Sequence, residues 1–131
     1  LTNMMGRWEV LGSKPTIIAD SAHNKEGLDW AMQQLATMPR EKLHIVMGAV
    51  NDKDLDKMLA LFPAEGTYYF AKPDIPRGLD ASSLQTLAAK FNLHGQTYPS
   101  VQSALAEATS NANEKDLIYV GGSTFVVAEV L

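Results

Sequence analysis

Cysteine is absent from the sequence, which excludes disulfides and thiolate metal sites as sources of stability or chemistry and fits a reducing compartment. Positive charge is scarce and scattered. The chain has 11 Lys and Arg against 15 Asp and Glu, a net charge of −4, and no run of three basic residues. A nucleic-acid partner needs a concentrated basic face to displace counterions from phosphates, so that class is excluded. Long apolar runs are missing too. No stretch approaches the roughly 20 residues that cross a bilayer, and no charged-then-apolar signal segment opens the chain. No membrane partner is expected, and the cytoplasm is the expected compartment. The three histidines, His23, His44 and His94, show no pair at metal-ligand spacing, so no metal site is expected.

What is present is the composition of an ordinary folded domain: 131 residues, 46% apolar and 20% charged. That length suits one domain, residues 1–131, and buries roughly two-thirds of the surface its unfolded form exposes. No repeat, linker or low-complexity segment interrupts it. Nothing like a start segment precedes Gly6-Arg7, and the sequence stops at Leu131 inside an apolar helical run beginning near Ser123. The expectation is a domain boundary within a longer chain.

Four short runs are rich in β-branched and aromatic residues: Thr16-Ile17-Ile18-Ala19, Leu43-His44-Ile45-Val46-Met47, Thr67-Tyr68-Tyr69-Phe70 and Leu117-Ile118-Tyr119-Val120. Most do not alternate with polar residues, as expected of strands buried on both faces of a parallel sheet. Between them lie helical spacings. Leu28, Ala31, Met32, Leu35 and Met38 form one stripe; Leu55, Met58, Leu59 and Phe62 a second; Leu84, Leu87, Ala88 and Phe91 a third; Val101, Ala104, Leu105 and Ala108 a fourth. Asn24, Asp80 and Ser100 are placed to cap helices. A short strand is expected around 96–98, and residues 8–11, before Gly12, read as an edge strand. The pattern predicts a single Rossmann-like α/β domain, with a mostly parallel sheet of about six strands and helices on both faces.

In such sheets ligands bind beyond the carboxyl ends of the strands. Polar clusters follow three of them: Asp20-Ser21-Ala22-His23-Asn24, Gly48-Ala49-Val50-Asn51-Asp52-Lys53-Asp54 and Gly121-Gly122-Ser123-Thr124. Each also has a plain reading. Asp20 could stabilise only a turn, His23 could be a satisfied loop histidine, and the acids around Lys53 could be a solvated helix start. Gly121-Gly122-Ser123 suits an anion, because glycine lets the backbone approach a carboxylate or phosphate. It lacks the lysine and spacing of a triphosphate loop, and no G-x-G-x-x-G occurs. Any nucleotide chemistry here must therefore be shared with another domain.

Taken in order, Gly6-Arg7-Trp8-Glu9, Ile18-Ala19-Asp20-Ser21-Ala22-His23-Asn24, the Gly48–Asp54 cluster and Gly121-Gly122-Ser123-Thr124-Phe125-Val126-Val127-Ala128-Glu129-Val130 resemble the C-terminal domain of the folylpolyglutamate synthase and dihydrofolate synthase family, within the Mur ligase superfamily. The resemblance spans essentially the whole chain. It implies an ATP-dependent amide ligase that phosphorylates a folate or dihydropteroate carboxylate and lets the amino group of L-glutamate displace the phosphate. It also implies that ATP and Mg2+ are held largely by an N-terminal ATPase domain, the chief partner of this one, and that this domain alone is inactive. By position, Arg7 and Asp20 match ATP-contacting residues. His23 and Ser123 match the glutamate and acyl-phosphate side, with Lys53 as a companion. Ser21 and Lys25 depart from the family's usual glycine and proline. A Mur-type cell-wall ligase, a receiver-like signalling module and a non-catalytic interaction domain are the alternative readings.

Overall fold

In the computed structural model, which describes residues 7–131, the runs dense in β-branched and aromatic residues are strands, as side chains stiff at χ1 favour. They are β1 (Trp8–Ser13), β2 (Thr16–Asp20), β3 (Leu43–Met47), β4 (Thr67–Phe70), β5 (Gly95–Thr97) and β6 (Leu117–Gly121). The helices are α1 (Lys25–Thr37), α2 (Leu55–Leu59), α3 (Ala81–Ala89), α4 (Val101–Asn111) and α5 (Thr124–Ala128). Gly6 of the first resemblance motif and the expected lack of a start segment lie outside the described residues. Among those residues no helix is long and apolar enough to cross a membrane.

The strands form one sheet in the order β1-β2-β6-β3-β4-β5. Only the edge strand β1 runs antiparallel to its neighbour; the other pairs are parallel. Because side chains alternate across a strand, each buried run serves two cores. Ile45, Met47, Tyr68, Phe70, Leu117 and Tyr119 face one core with Leu28 and Leu35 of α1, Leu59 of α2 and Leu84 of α3. Val46, Tyr69, Ile118 and Val120 face the other with Val101, Ala104 and Ala108 of α4 and Val126 of α5. Each large side chain taken wholly from water contributes about 1.5–3 kcal/mol, so both layers are needed to hold the sheet. The doubly covered, mostly parallel sheet expected from the sequence is what the chain forms.

Helix starts follow local chemistry. Asn24 Oδ1 accepts from the Gly27 N–H at 2.8 Å. Ser100 Oγ accepts from Ser103 N–H while Ser103 Oγ accepts from Ser100 N–H, a reciprocal capping box. Asp80 departs from expectation. It occupies the N-cap position of α3 but its side chain makes no cap bond; its carbonyl instead accepts from Leu84 N–H at 2.9 Å. Two strands run one residue further than their apolar runs, to Asp20 and Gly121, and the short strand starts at Gly95. The second stripe leaves its helix early. α2 ends at Leu59, yet Phe62 stays buried in the turn that follows.

At the amino ends of the strands lies a closed polar network. His44 Nε2 is 2.8 Å from Asp116 Oδ2, and His44 Nδ1 is 2.9 Å from Tyr69 Oη. Asn111 Nδ2 donates to the same hydroxyl at 3.3 Å. Asp116 also accepts from the Lys42 and Asn113 N–H groups. Burial pushes the Asp116 carboxyl up, but the His44 bond and these backbone donors outweigh it and hold the group below the ordinary carboxylate range. His44 is thus a satisfied core histidine that clamps the ends of β3 and β6.

Candidate functional site

The sheet order builds the site. β6 lies between β2 and β3 and parallel to both, so the polar clusters that follow these three strands emerge side by side at one end of the sheet. The turn after β6 rests directly on the loop after β3. Gly122 has φ +99°, and a Cβ there would stand 2.4 Å from the Gly48 carbonyl oxygen. Only glycine permits that approach.

Arg7 and Asp20 meet at the β1–β2 corner. Arg7 N–H donates to Ser21 Oγ at 2.7 Å, and Ser21 N–H returns a bond to the Arg7 carbonyl at 2.9 Å. The Arg7 guanidinium extends outward, exposed, with Glu9 at 3.1 Å. Asp20 points inward and has no exposed surface. Its Oδ1 accepts from Ala22 N–H at 3.2 Å and its Oδ2 from the Tyr119 hydroxyl at 2.6 Å. Burial pushes its carboxyl up to about 6 against the opposing pull of those two bonds. Trp8, its register partner on β1, lies 6.3 Å from the Tyr119 ring and 5.8 Å from the Trp30 ring, centroid to centroid. The corner is therefore a carboxyl group beneath aromatic rings, with a cation outside.

His23 and Ser123 meet across a cavity of about 350 Å³, which also draws Asp52, Arg77, Met58 and Phe125 into its lining. Ser123 is buried and caps α5, its Oγ accepting from Phe125 N–H at 3.0 Å. The His23 ring is exposed, with Nδ1 3.4 Å from the Ser21 carbonyl oxygen. A neighbouring cavity of about 340 Å³ shares His23, Asp52 and Met58 and adds Lys57 and Glu26. Lys53 does not line the first cavity. It is exposed in the loop before α2, and that loop contributes Asp52 in its place. The lining joins apolar Ala49, Leu55, Met58 and Phe125 to His23, Ser123, Asp52 and Arg77, residue types able to hold a small zwitterion or an anion.

Arg77 was not singled out by the sequence, and Asp52 was read there within the second polar cluster only as part of a helix start. The loop after β4 folds back on the loop after β3: Asn51 N–H donates to the Arg77 carbonyl at 3.0 Å, Leu79 N–H to Ala49 at 2.8 Å, and Val50 pairs with Gly78. One available signal was that Arg77 follows β4 on the same carboxyl side as the other clusters. Asp52 does serve the helix start as read, its Oδ1 accepting from Asp54 N–H at 2.8 Å, and it lines both cavities as well. Among the described residues no three metal-ligating side chains converge.

Comparison with known proteins bears on these residues together. Residues 6–124 match the family described as Mur ligase, glutamate ligase domain. A probable bifunctional folylpolyglutamate synthase/dihydropteroate synthase of Haloferax volcanii is 35% identical over 125 residues, which is 95% of this chain and 15% of that protein. Escherichia coli FolC, solved in complex with DHPP and ADP, superposes with a TM-score of 0.86 at 28% identity, over 95% of this chain and 30% of that one. The folylpolyglutamate synthase/dihydrofolate synthase of Yersinia pestis, complexed with AMPPNP and Mn, gives a TM-score of 0.83 at 29% identity, again over 95% of this chain and 30% of that one. The chain thus spans less than a third of each of these relatives.

Proposed function

The chain belongs to the Mur ligase glutamate ligase domain family, and from that premise we propose that it is the C-terminal domain of an ATP-dependent ligase that joins L-glutamate to a folate or dihydropteroate carboxylate. The observation that carries the reading is the convergence of the β2, β3 and β6 end clusters on one mixed-charge cavity in a domain with no phosphate loop of its own. Such a cavity suits the second half of a two-step reaction whose first half belongs elsewhere. In the first step a substrate carboxylate oxygen attacks the γ-phosphorus of ATP and ADP leaves, giving an acyl phosphate. In the second, the glutamate amine attacks the acyl carbon, the C–O bond to phosphate breaks, and inorganic phosphate departs with an amide formed.

The residues divide accordingly. Arg7, exposed at the β1–β2 corner, suits the charge of nucleotide phosphates. Asp20, at the same corner, is the carboxylate the resemblance assigns to the nucleotide, suited to a ribose hydroxyl pair. His23 and Ser123, on opposite turns of the cavity, suit the acyl-phosphate oxygens and the incoming amino acid, with Lys53 a nearby cation for a carboxylate. The partner is an N-terminal ATPase domain that would supply the triphosphate loop and the ligands of magnesium, whose charge offsets that of the phosphates. The relatives solved with ADP, AMPPNP and Mn support that division.

The test is ligation by the full-length protein, with dihydropteroate and a reduced folate as separate acceptors. ATP-dependent incorporation of glutamate with release of ADP and phosphate is expected, and the acceptor used identifies the substrate. A folded protein that binds ATP but makes product from neither acceptor refutes the folate reading in favour of another Mur-type substrate.

A further inference from the structure

Asp52 lines both cavities, and its place there is fixed by backbone. Asn51 N–H donates to the Arg77 carbonyl at 3.0 Å, Leu79 N–H to the Ala49 carbonyl at 2.8 Å, and Val50 bridges to Gly78. These bonds fasten the loop after β3 to the loop after β4. The Asp52 carbonyl accepts from Leu55 N–H at 3.2 Å, which ties the same residue to the start of α2. A side chain carried on so constrained a loop loses little further freedom when it meets a ligand.

One oxygen of the Asp52 carboxylate serves the fold: Oδ1 accepts from Asp54 N–H at 2.8 Å. That bond uses a fraction of what a carboxylate can accept. No ion pair includes Asp52 or Arg77 among the described residues, whereas Asp54, two positions on, has Lys57 at 3.8 Å. Of the described side chains that line the first cavity, Asp52 alone is acidic, and Arg77 is the one permanent cation. The two are joined through backbone and do not neutralise each other. An α-amino acid carries an ammonium and a carboxylate on one carbon, and each needs a partner of opposite sign when water is displaced. An ammonium has three donors and no acceptor. Asp52 is the lining residue that brings it both an acceptor and a negative charge.

We propose that Asp52 recognises the amino group of the incoming amino acid: its carboxylate accepts from the ammonium and orients the nitrogen that becomes the amide. The ligand class is thus an α-amino acid, and the dicarboxylic acid that lacks the nitrogen is rejected. That the amino acid is glutamate rests on the ligase reading above.

The test compares L-glutamate with glutarate, which has the same two carboxylates and no amino group. Calorimetric titration of the full-length protein loaded with AMPPNP gives both affinities without turnover. The parent should bind glutamate about tenfold or more tightly than glutarate. Asp52→Asn removes the charge and keeps an oxygen for Asp54 N–H. It should bring the two ligands within about twofold of each other, by weakening glutamate and leaving glutarate unchanged. A preference that survives the substitution, an equal loss for both ligands, or a parent without the preference overturns the proposal. Should Asp52→Asn not fold, Asp52→Ser carries the same expectation, because its hydroxyl also accepts from Asp54 N–H. In turnover, Asp52→Asn should raise the KM for glutamate about tenfold and leave the KM for ATP within about twofold. An unchanged KM for glutamate likewise overturns the proposal. A parent that shows the binding preference yet joins glutamate to neither acceptor refutes the ligase reading alone.

Discussion

Replacing Asp20 with asparagine should reverse the usual effect of acid at one site. The carboxyl titrates at about 6 in the folded chain, against an ordinary value of 3.8, because burial disfavours its charged form. Between those values the folded state holds a proton that the unfolded state has released. The stability this group contributes is therefore fully present below 3.8 and lost as pH rises through about 6. The gap corresponds to about 3 kcal/mol over the full range, and to about 2 kcal/mol between about pH 7 and about pH 4.5. Urea unfolding of the parent and of Asp20→Asn at each pH gives the two free energies. Their difference removes the titration of every distant group, Asp116 included. That difference should move in favour of the parent by about 2 kcal/mol on acidification. A difference flat to within about 0.5 kcal/mol would mean that the carboxyl titrates as a solvated one. Movement the other way would require an unseen cation beside it, and either result refutes the reasoning.

The opposite sign is expected at the other end of the sheet. His44→Ala leaves Asp116 buried with backbone donors alone and should cost about 3 kcal/mol by urea unfolding, with a loss below about 1 kcal/mol counting against the clamp. Asp116 is held below the ordinary range, so its stability is present above 3.8 and lost as pH falls through its lower folded value. The acid-unfolding midpoint of His44→Ala should accordingly move to higher pH. Gly121→Ala places a methyl 2.7–2.8 Å from the confined Tyr119 ring and should lower stability by about 1–3 kcal/mol, read as a drop in Tm; a neutral outcome would show that the ring has room to move. Ser100→Ala removes the hydroxyl that accepts from Ser103 N–H and leaves the return bond from the backbone N–H at position 100 to Ser103 Oγ; it should cost about 1 kcal/mol in urea, whereas an unchanged midpoint would show that the helix start does not depend on that hydroxyl.

Periodicity was enough where a residue's fate is decided by its neighbours in sequence. The run at β3 reads as buried on both faces and is, and the first helical stripe puts Leu28, Ala31 and Leu35 inside. Asn24 and Ser100 cap as their types suggest, because a cap bond spans only three residues. β5 has little of the composition of a strand. Gly95-Gln96-Thr97 pairs because the edge of β4 is open beside it, a tertiary cause. The strand-end clusters were legible because a parallel sheet gathers such ends whatever its order. The partners within them were not. Tyr119 reaches Asp20 across 99 positions, and Arg77 reaches the cavity through the Val50–Gly78 pairing of two loops. Lys53 was the plausible cation by type, and backbone geometry gave its place in the cavity lining to Asp52.

The position of β6 also sets the order in which this domain can be assembled during synthesis. It is translated after the other five described strands, yet it occupies the middle of the sheet and bonds to β2 and β3 alike. Until residues 117–121 emerge from the ribosome, the β1–β2 hairpin and the β3-β4-β5 ladder are two separate pieces, each with a bare apolar edge open to mispairing. The described sheet is keyed shut by β6, and the long chain separation of that closing contact makes it a slow step.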